Sequence, residues 1–130
     1  MAEFNGKYRA YVHNVNDPQK RGRIQVTCPK IGASYVSAWC EPCFSGDDFY
    51  LPPVRSCVWI EFQQGDLKKP IWTGSWLAEN TAPTGGGTRI ISYGGAIITL
   101  MSGKVFINGV DVLDNINSLE KRIESLERLL

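Results

Sequence analysis

The sequence predicts a mainly β protein: a closed or nearly closed five-stranded Greek-key barrel, then a short β-stalk segment, then a C-terminal helix. Three observations predict it. Between Lys7 and about Trp76, short runs of β-branched and aromatic residues are separated by Gly, Pro, Asp and Asn, the pattern of a small all-β domain. From Ala82 to Gly87 the composition shifts to Pro, Thr and Gly, with little to bury and much backbone freedom, which marks a linker. From Val112 onward the apolar residues recur at alternating steps of four and three, a helical rather than a strand period.

Each element follows from its local chemistry. The first strand is Lys7 to Val12 and the second Arg23 to Cys28, a hairpin with a wide polar loop in which Asp17-Pro18 and Gly22 favour turns. The third runs from about Tyr35 to Glu41. The fourth, Arg55 to Phe62, alternates Val58, Ile60 and Phe62 with Cys57, Trp59 and Glu61, and bulk on both faces makes it central or interfacial. Gln63 to Asp66 breaks that strand, Gly65 permitting positive φ, and Pro70 starts an edge strand where no amide is needed. Ile71 to Gly74 is the fifth strand. Large aromatics on five short strands suit a closed barrel.

Beyond the linker, Thr88 to Ile91, Ala96 to Met101 and Lys104 to Asn108 read as three strands, with Ser102-Gly103 as a tight hairpin turn. So thin a sheet cannot cover its own Ile97, Ile98, Leu100, Val105, Phe106 and Ile107, and copies of the segment from other chains are expected to supply the missing layer. The helix places Ile116, Ile123 and Leu130 at heptad position a and Val112, Leu119 and Leu126 at d. Asp111 or Asp114 caps its start, and Glu124 before Arg128 supports its exposed face. Two to three heptads are barely stable alone, so association is expected, with Arg122 at g spaced to meet Glu127 at the next e in a parallel bundle. The expected division is residues 1–78 barrel, 79–87 linker, 88–110 β-stalk and 111–130 coiled-coil helix.

Bulk composition narrows the function. Lys and Arg total 14 against 13 Asp and Glu, which gives no general pull toward nucleic acid or anionic lipid. The N-terminus lacks a basic and apolar leader, and no apolar run approaches the roughly 18 residues of a membrane span. The expectation is a chain made as a soluble cytosolic protein, with no stable membrane insertion and with reduced Cys28, Cys40, Cys43 and Cys57.

The order Asp17-Pro18-Gln19-Lys20-Arg21-Gly22-Arg23-Ile24-Gln25-Val26, Ala38-Trp39 with Pro42, Pro53-Val54, Val58 to Phe62, Gly65-Asp66 and Lys69 to Gly74 resembles the OB-fold domain of phage baseplate hub and tail spike proteins. That domain is shared with the VgrG-type spikes of type VI secretion and contractile injection systems. The resemblance implies a homotrimer at the end of the tail tube, a strand-rich stalk on the three-fold axis, and contacts with tail tube and baseplate hub ring proteins within the virion. The chain has no room for a lysozyme domain or a long β-helix. It also lacks the His-x-His iron tip of piercing spikes, because His13 is its one histidine. A hub, or a stub that receives a separate tip protein, fits this pattern. Ile at a with Leu at d favours parallel dimers, the resemblance favours trimers, and the trimer is expected because barrel and stalk outweigh two heptads.

No catalytic constellation accompanies His13, so no enzyme activity and no cofactor are expected. Cys40-Glu41-Pro42-Cys43 has zinc-knuckle spacing, but a structural site normally has two such close pairs, and buried thiols are the expectation. The alternative function is single-stranded nucleic-acid binding, with Trp39, Trp59, Trp72, Trp76, Tyr8 and Tyr11 as stacking platforms and Lys20, Arg21 and Arg23 meeting phosphate. The short basic cluster is offset by Asp17, Asp47, Asp48, Glu61 and Asp66, and no nucleic-acid partner is expected.

Overall fold

The structure, a computed structural model, describes residues 3–130 and divides the chain into two compact units, the first ending at Asn80 and the second beginning at Thr81. Unit one holds the strands β1 (Tyr8–Asn14), β2 (Gln25–Thr27), β3 (Glu41–Pro42), β4 (Cys57–Phe62) and β5 (Pro70–Trp72). Their order in the sheet is β2-β1-β4-β5-β3, with β3 parallel to β5 and the other neighbours antiparallel. Two single bridges, Ile24 to Cys40 and Thr27 to Val36, carry pairing from the β2 edge onto the segment that leads into β3. The sheet is thereby curled back on itself as the partly open, five-stranded Greek-key barrel that defines an OB fold.

Alternation fills this barrel. Val58, Ile60 and Phe62 of β4 point inward with Ala10 and Val12 of β1, and with Ile24, Val26, Cys28, Cys40 and Trp72 they form the buried core. Trp72 sits in it with its indole Nε1 donating to the Gly22 carbonyl at 3.1 Å, which satisfies the one polar atom of the ring. Gly22 has φ +74°, and a Cβ there would meet Phe49 at 3.3 Å and Pro42 at 3.5 Å, so the position needs glycine for both backbone and space.

Three expectations need correction. The third strand is only Glu41–Pro42; residues 35–40 make isolated bridges instead, because the Ser37 hydroxyl takes the Val26 amide at 2.9 Å and interrupts a regular ladder. Pro70 does not start an edge strand. β5 lies between β4 and β3, and its missing amide is tolerated because it is the strand's first residue. The first strand continues to Asn14, past a bulge at His13, where the register skips from Val12–Val26 to Asn14–Gln25.

Unit two is an antiparallel meander of β6 (Thr88–Tyr93), β7 (Ala96–Met101), β8 (Lys104–Ile107) and β9 (Val110–Asp111), followed by α1 (Val112–Arg128). β9 was not foreseen. Each connection is a two-residue turn with both central residues at positive φ: Gly94-Gly95, Ser102-Gly103 and Asn108-Gly109. That is the type I′ geometry whose twist matches the strands it joins. The helix starts at Val112 because Asp111 is its N-cap, the carboxylate accepting from the Asp114 amide at 3.0 Å. Among the described residues no helix is long and apolar enough to cross a membrane.

Candidate functional site

The registers of unit two decide which side chains share a face, since residues directly opposite each other point the same way. Ile91 faces Ile98, Ile98 faces Ile107, and Ile107 faces Val110; beside this row, Arg89 faces Leu100 and Leu100 faces Val105. Ile98, Leu100, Val105 and Ile107 therefore lie on one face, joined by Ile91, Tyr93 and Val110. All seven are exposed, from 38% for Leu100 to 60% for Tyr93. The opposite face mixes Thr88, Ser92, Thr99 and Lys104 with Ile90, Ile97, Met101 and Phe106.

The helix repeats the situation. α1 rests against β8 and β9, with Val112 half-buried, while Ile116, Leu119, Ile123 and Leu126 are exposed and Leu130 lies past the helix end. Arg122 and Glu127 are both exposed. Val105, Leu113 and Ile116 line one groove of about 400 Å³ with Lys104 and Asp111, so residues from both faces of the sheet meet the first turns of the helix there. Covering such side chains contributes on the order of 1–2 kcal/mol each.

On the barrel, the outward alternation of β1 and β4 produces an aromatic and cationic surface. The Arg9 guanidinium lies 4.8 Å from the Trp76 ring and 5.6 Å from that of Trp59. Tyr11 meets Trp76 edge-on at 5.5 Å, and Trp76 Nε1 donates to the Ala10 carbonyl at 3.3 Å. The residues after β5 are thus folded onto the outer face, an arrangement continued by the Trp59 amide bonding to the Gly74 carbonyl at 2.8 Å.

The candidate nucleic-acid residues are brought together only in part: Tyr8, Tyr11, Trp59 and Trp76 gather around Arg9, apart from Trp39, Trp72 and the basic residues of the β1–β2 loop. Trp72 is in the core, and Trp39 lies under the Arg23 guanidinium at 5.6 Å. Arg23 in turn pairs with Asp17 at 2.7 Å, and Arg21 with Glu41 at 2.6 Å. Asp17 also accepts from the amides of Gln19 and Arg21 at 2.9 Å. The Arg23 guanidinium foremost, and then these amides, hold its carboxyl well below the usual carboxylate range. Tyr8 and Tyr11 line a groove of about 540 Å³ with Lys7, Arg9, Lys30 and Trp59, cations that sequence reasoning had not grouped with them. Alternation along β1 was the available signal for Arg9 and Tyr11; Lys30 arrives from a loop and had none.

The cysteines separate likewise. Cys40 is in the core, where burial pushes its thiol up to about 12, so it stays protonated; Cys43, three residues on, is exposed. Among the described residues, no group of three or more His, Cys, Asp or Glu side chains is arranged to hold a metal ion.

The chain thus joins a five-stranded barrel to a sheet and a helix that both expose apolar side chains. The family model of the type VI secretion system/phage-baseplate injector OB domain matches residues 8–77. The chain belongs to that family, and is thereby a component of a phage or secretion injection machine. A comparison with curated proteins finds no match.

Proposed function

We propose that the chain is a homotrimeric structural subunit of a baseplate hub or central spike, which closes the tail tube and joins it to the baseplate. The observation that supports this most directly is the face of Ile91, Tyr93, Ile98, Leu100, Val105, Ile107 and Val110, exposed on a sheet with one helix at its edge. Three copies set around an axis bury these faces against one another as a prism. The helices then lie parallel on the same axis, Ile116, Leu119, Ile123 and Leu126 inward and Arg122 of one copy near Glu127 of the next. In this reading the protein's work is mechanical: it transmits load and fixes symmetry, and performs no turnover. Ring proteins of the tube or hub are its partners, with a separate tip protein received at the helical end. Sedimentation equilibrium of the purified full chain tests the copy number. A mass of three chains at micromolar concentration is expected, and a monomer at that concentration would overturn the proposal.

A further inference from the structure

The barrel carries two further surfaces of its own. The first is the groove on β1 and β4 lined by Lys7, Tyr8, Arg9, Tyr11, Lys30 and Trp59. Its walls are aromatic and its charge is positive: Lys7 is 3.6 Å from Glu61, both half exposed, while among the described residues neither Arg9 nor Lys30 pairs with a carboxylate. The second is the loop between β3 and β4, where Asp47 and Asp48 are consecutive and exposed, ahead of Phe49, which is 67% exposed.

That loop is held rather than loose. Phe44 packs edge-on against Trp72 at 5.3 Å and against Tyr50 at 5.9 Å, Tyr50 meets Trp72 at 5.5 Å, and Phe49 leans on Phe44 at 5.6 Å. The Asp48 amide closes the turn on the Ser45 carbonyl at 3.3 Å. Two carboxylates and an apolar ring are thus presented on an aromatic base, which lowers the ordering cost of any contact they make.

The two surfaces share no residue, come from different elements and are opposite in charge with matching apolar content. Such surfaces on one molecule generate a heterologous, head-to-tail contact, which closes into a ring when the rotation between copies permits. We propose that the Ser45–Phe49 loop of one copy docks in the Lys7–Arg9–Lys30 groove of the next, so that the barrels form a ring contact of their own. Asp47 and Asp48 meet the cations, and Phe49 lies against Tyr8, Tyr11 and Trp59. This deepens the trimer reading and rests on it.

The experiment uses full-length protein, half of it isotopically heavy, mixed under conditions that exchange subunits and treated with a carbodiimide that joins lysine to carboxylate at zero length. Peptides linking Lys7 or Lys30 to Asp47 or Asp48, with one light and one heavy partner, are expected. Asp47→Lys with Asp48→Lys should abolish them, and combination with Lys7→Glu and Lys30→Glu should restore linkage with reversed polarity. A trimer that gives no mixed-isotope links at these positions overturns the contact and leaves the trimer standing. Mixed links in a particle of another copy number keep the contact and sink the trimer, and a monomer overturns both. If Lys7→Glu and Lys30→Glu instead remove binding of a single-stranded oligonucleotide that the loop variants retain, the groove belongs to nucleic acid and the proposal fails.

Discussion

Asp17 organises the β1–β2 loop with a single carboxylate. Its oxygens take the Arg23 guanidinium at 2.7 and 3.0 Å and the amides of Gln19 and Arg21, and its side chain is only 4% exposed. The folded pKa is depressed, so the unfolded chain takes up a proton first as the solution is acidified. The stabilisation is therefore complete above the ordinary carboxylate value of about 4 and is lost as pH falls below it toward the folded value. We expect Asp17→Asn to lower the melting temperature at pH 7 and the difference from wild type to shrink between about pH 4 and pH 3, read from melting curves across that range. At this scale the sequence was half legible. Asp17, Pro18 and Gly22 read as turn chemistry, but a pairing between Asp17 and Arg23 across an irregular loop follows no period and left no signal. The same holds for Lys30, which joins Lys7 and Arg9 only through the fold.

Among the elements, strict alternation was the most informative feature. β4 has Val58, Ile60 and Phe62 inward as its pattern demands, and Ile98, Leu100, Val105 and Ile107 share a face because tight turns fix the register between their strands. The third strand misled because Tyr35 to Glu41 has strand composition, while Ser37 diverts the backbone amide of Val26 from ladder pairing. β9 was missed although Asn108-Gly109 is a strong hairpin signal, because two residues are too few to show a period. If the exposed face is the assembly surface, Ile98→Asp with Ile107→Asp should dissociate the particle, whereas Ser92→Asp on the opposite face should leave its sedimentation unchanged. If the heptad seam adds to it, Ile123→Asp with Leu126→Asp should lower the oligomer's melting temperature. Coincident melting curves would remove the helix from the assembly.

For the whole molecule, the barrel was readable because its strands, breaks and aromatics come in an order that a matching family shares over residues 8–77. Copy number was not readable in the same way, since it depends on surfaces that meet only between chains, and the two sequence signals for it disagree. The heptad's Ile and Leu placement favours two chains, and the family resemblance favours three. A chain shortened to end at Asp111 keeps β9 and its pairing with β8 and loses the seam altogether. We expect it to remain trimeric with a lower melting temperature. A dimer or monomer by sedimentation at high concentration would show that the helix, and not the sheet, sets the number.

All four tryptophans, Trp39, Trp59, Trp72 and Trp76, lie in the first unit, and the one α-helix among the described residues, Val112–Arg128, lies in the second. The chain thus has a separate optical reporter for each unit: indole emission follows the barrel, and helical ellipticity follows the stalk end. If copies associate through the second unit, unfolding there changes the number of particles, and its midpoint must move with concentration. Diluting the protein should shift the ellipticity transition to lower temperature by more than the emission transition, which only the smaller contact between barrels ties to association. If both move together, the two units rise and fall as one cooperative body.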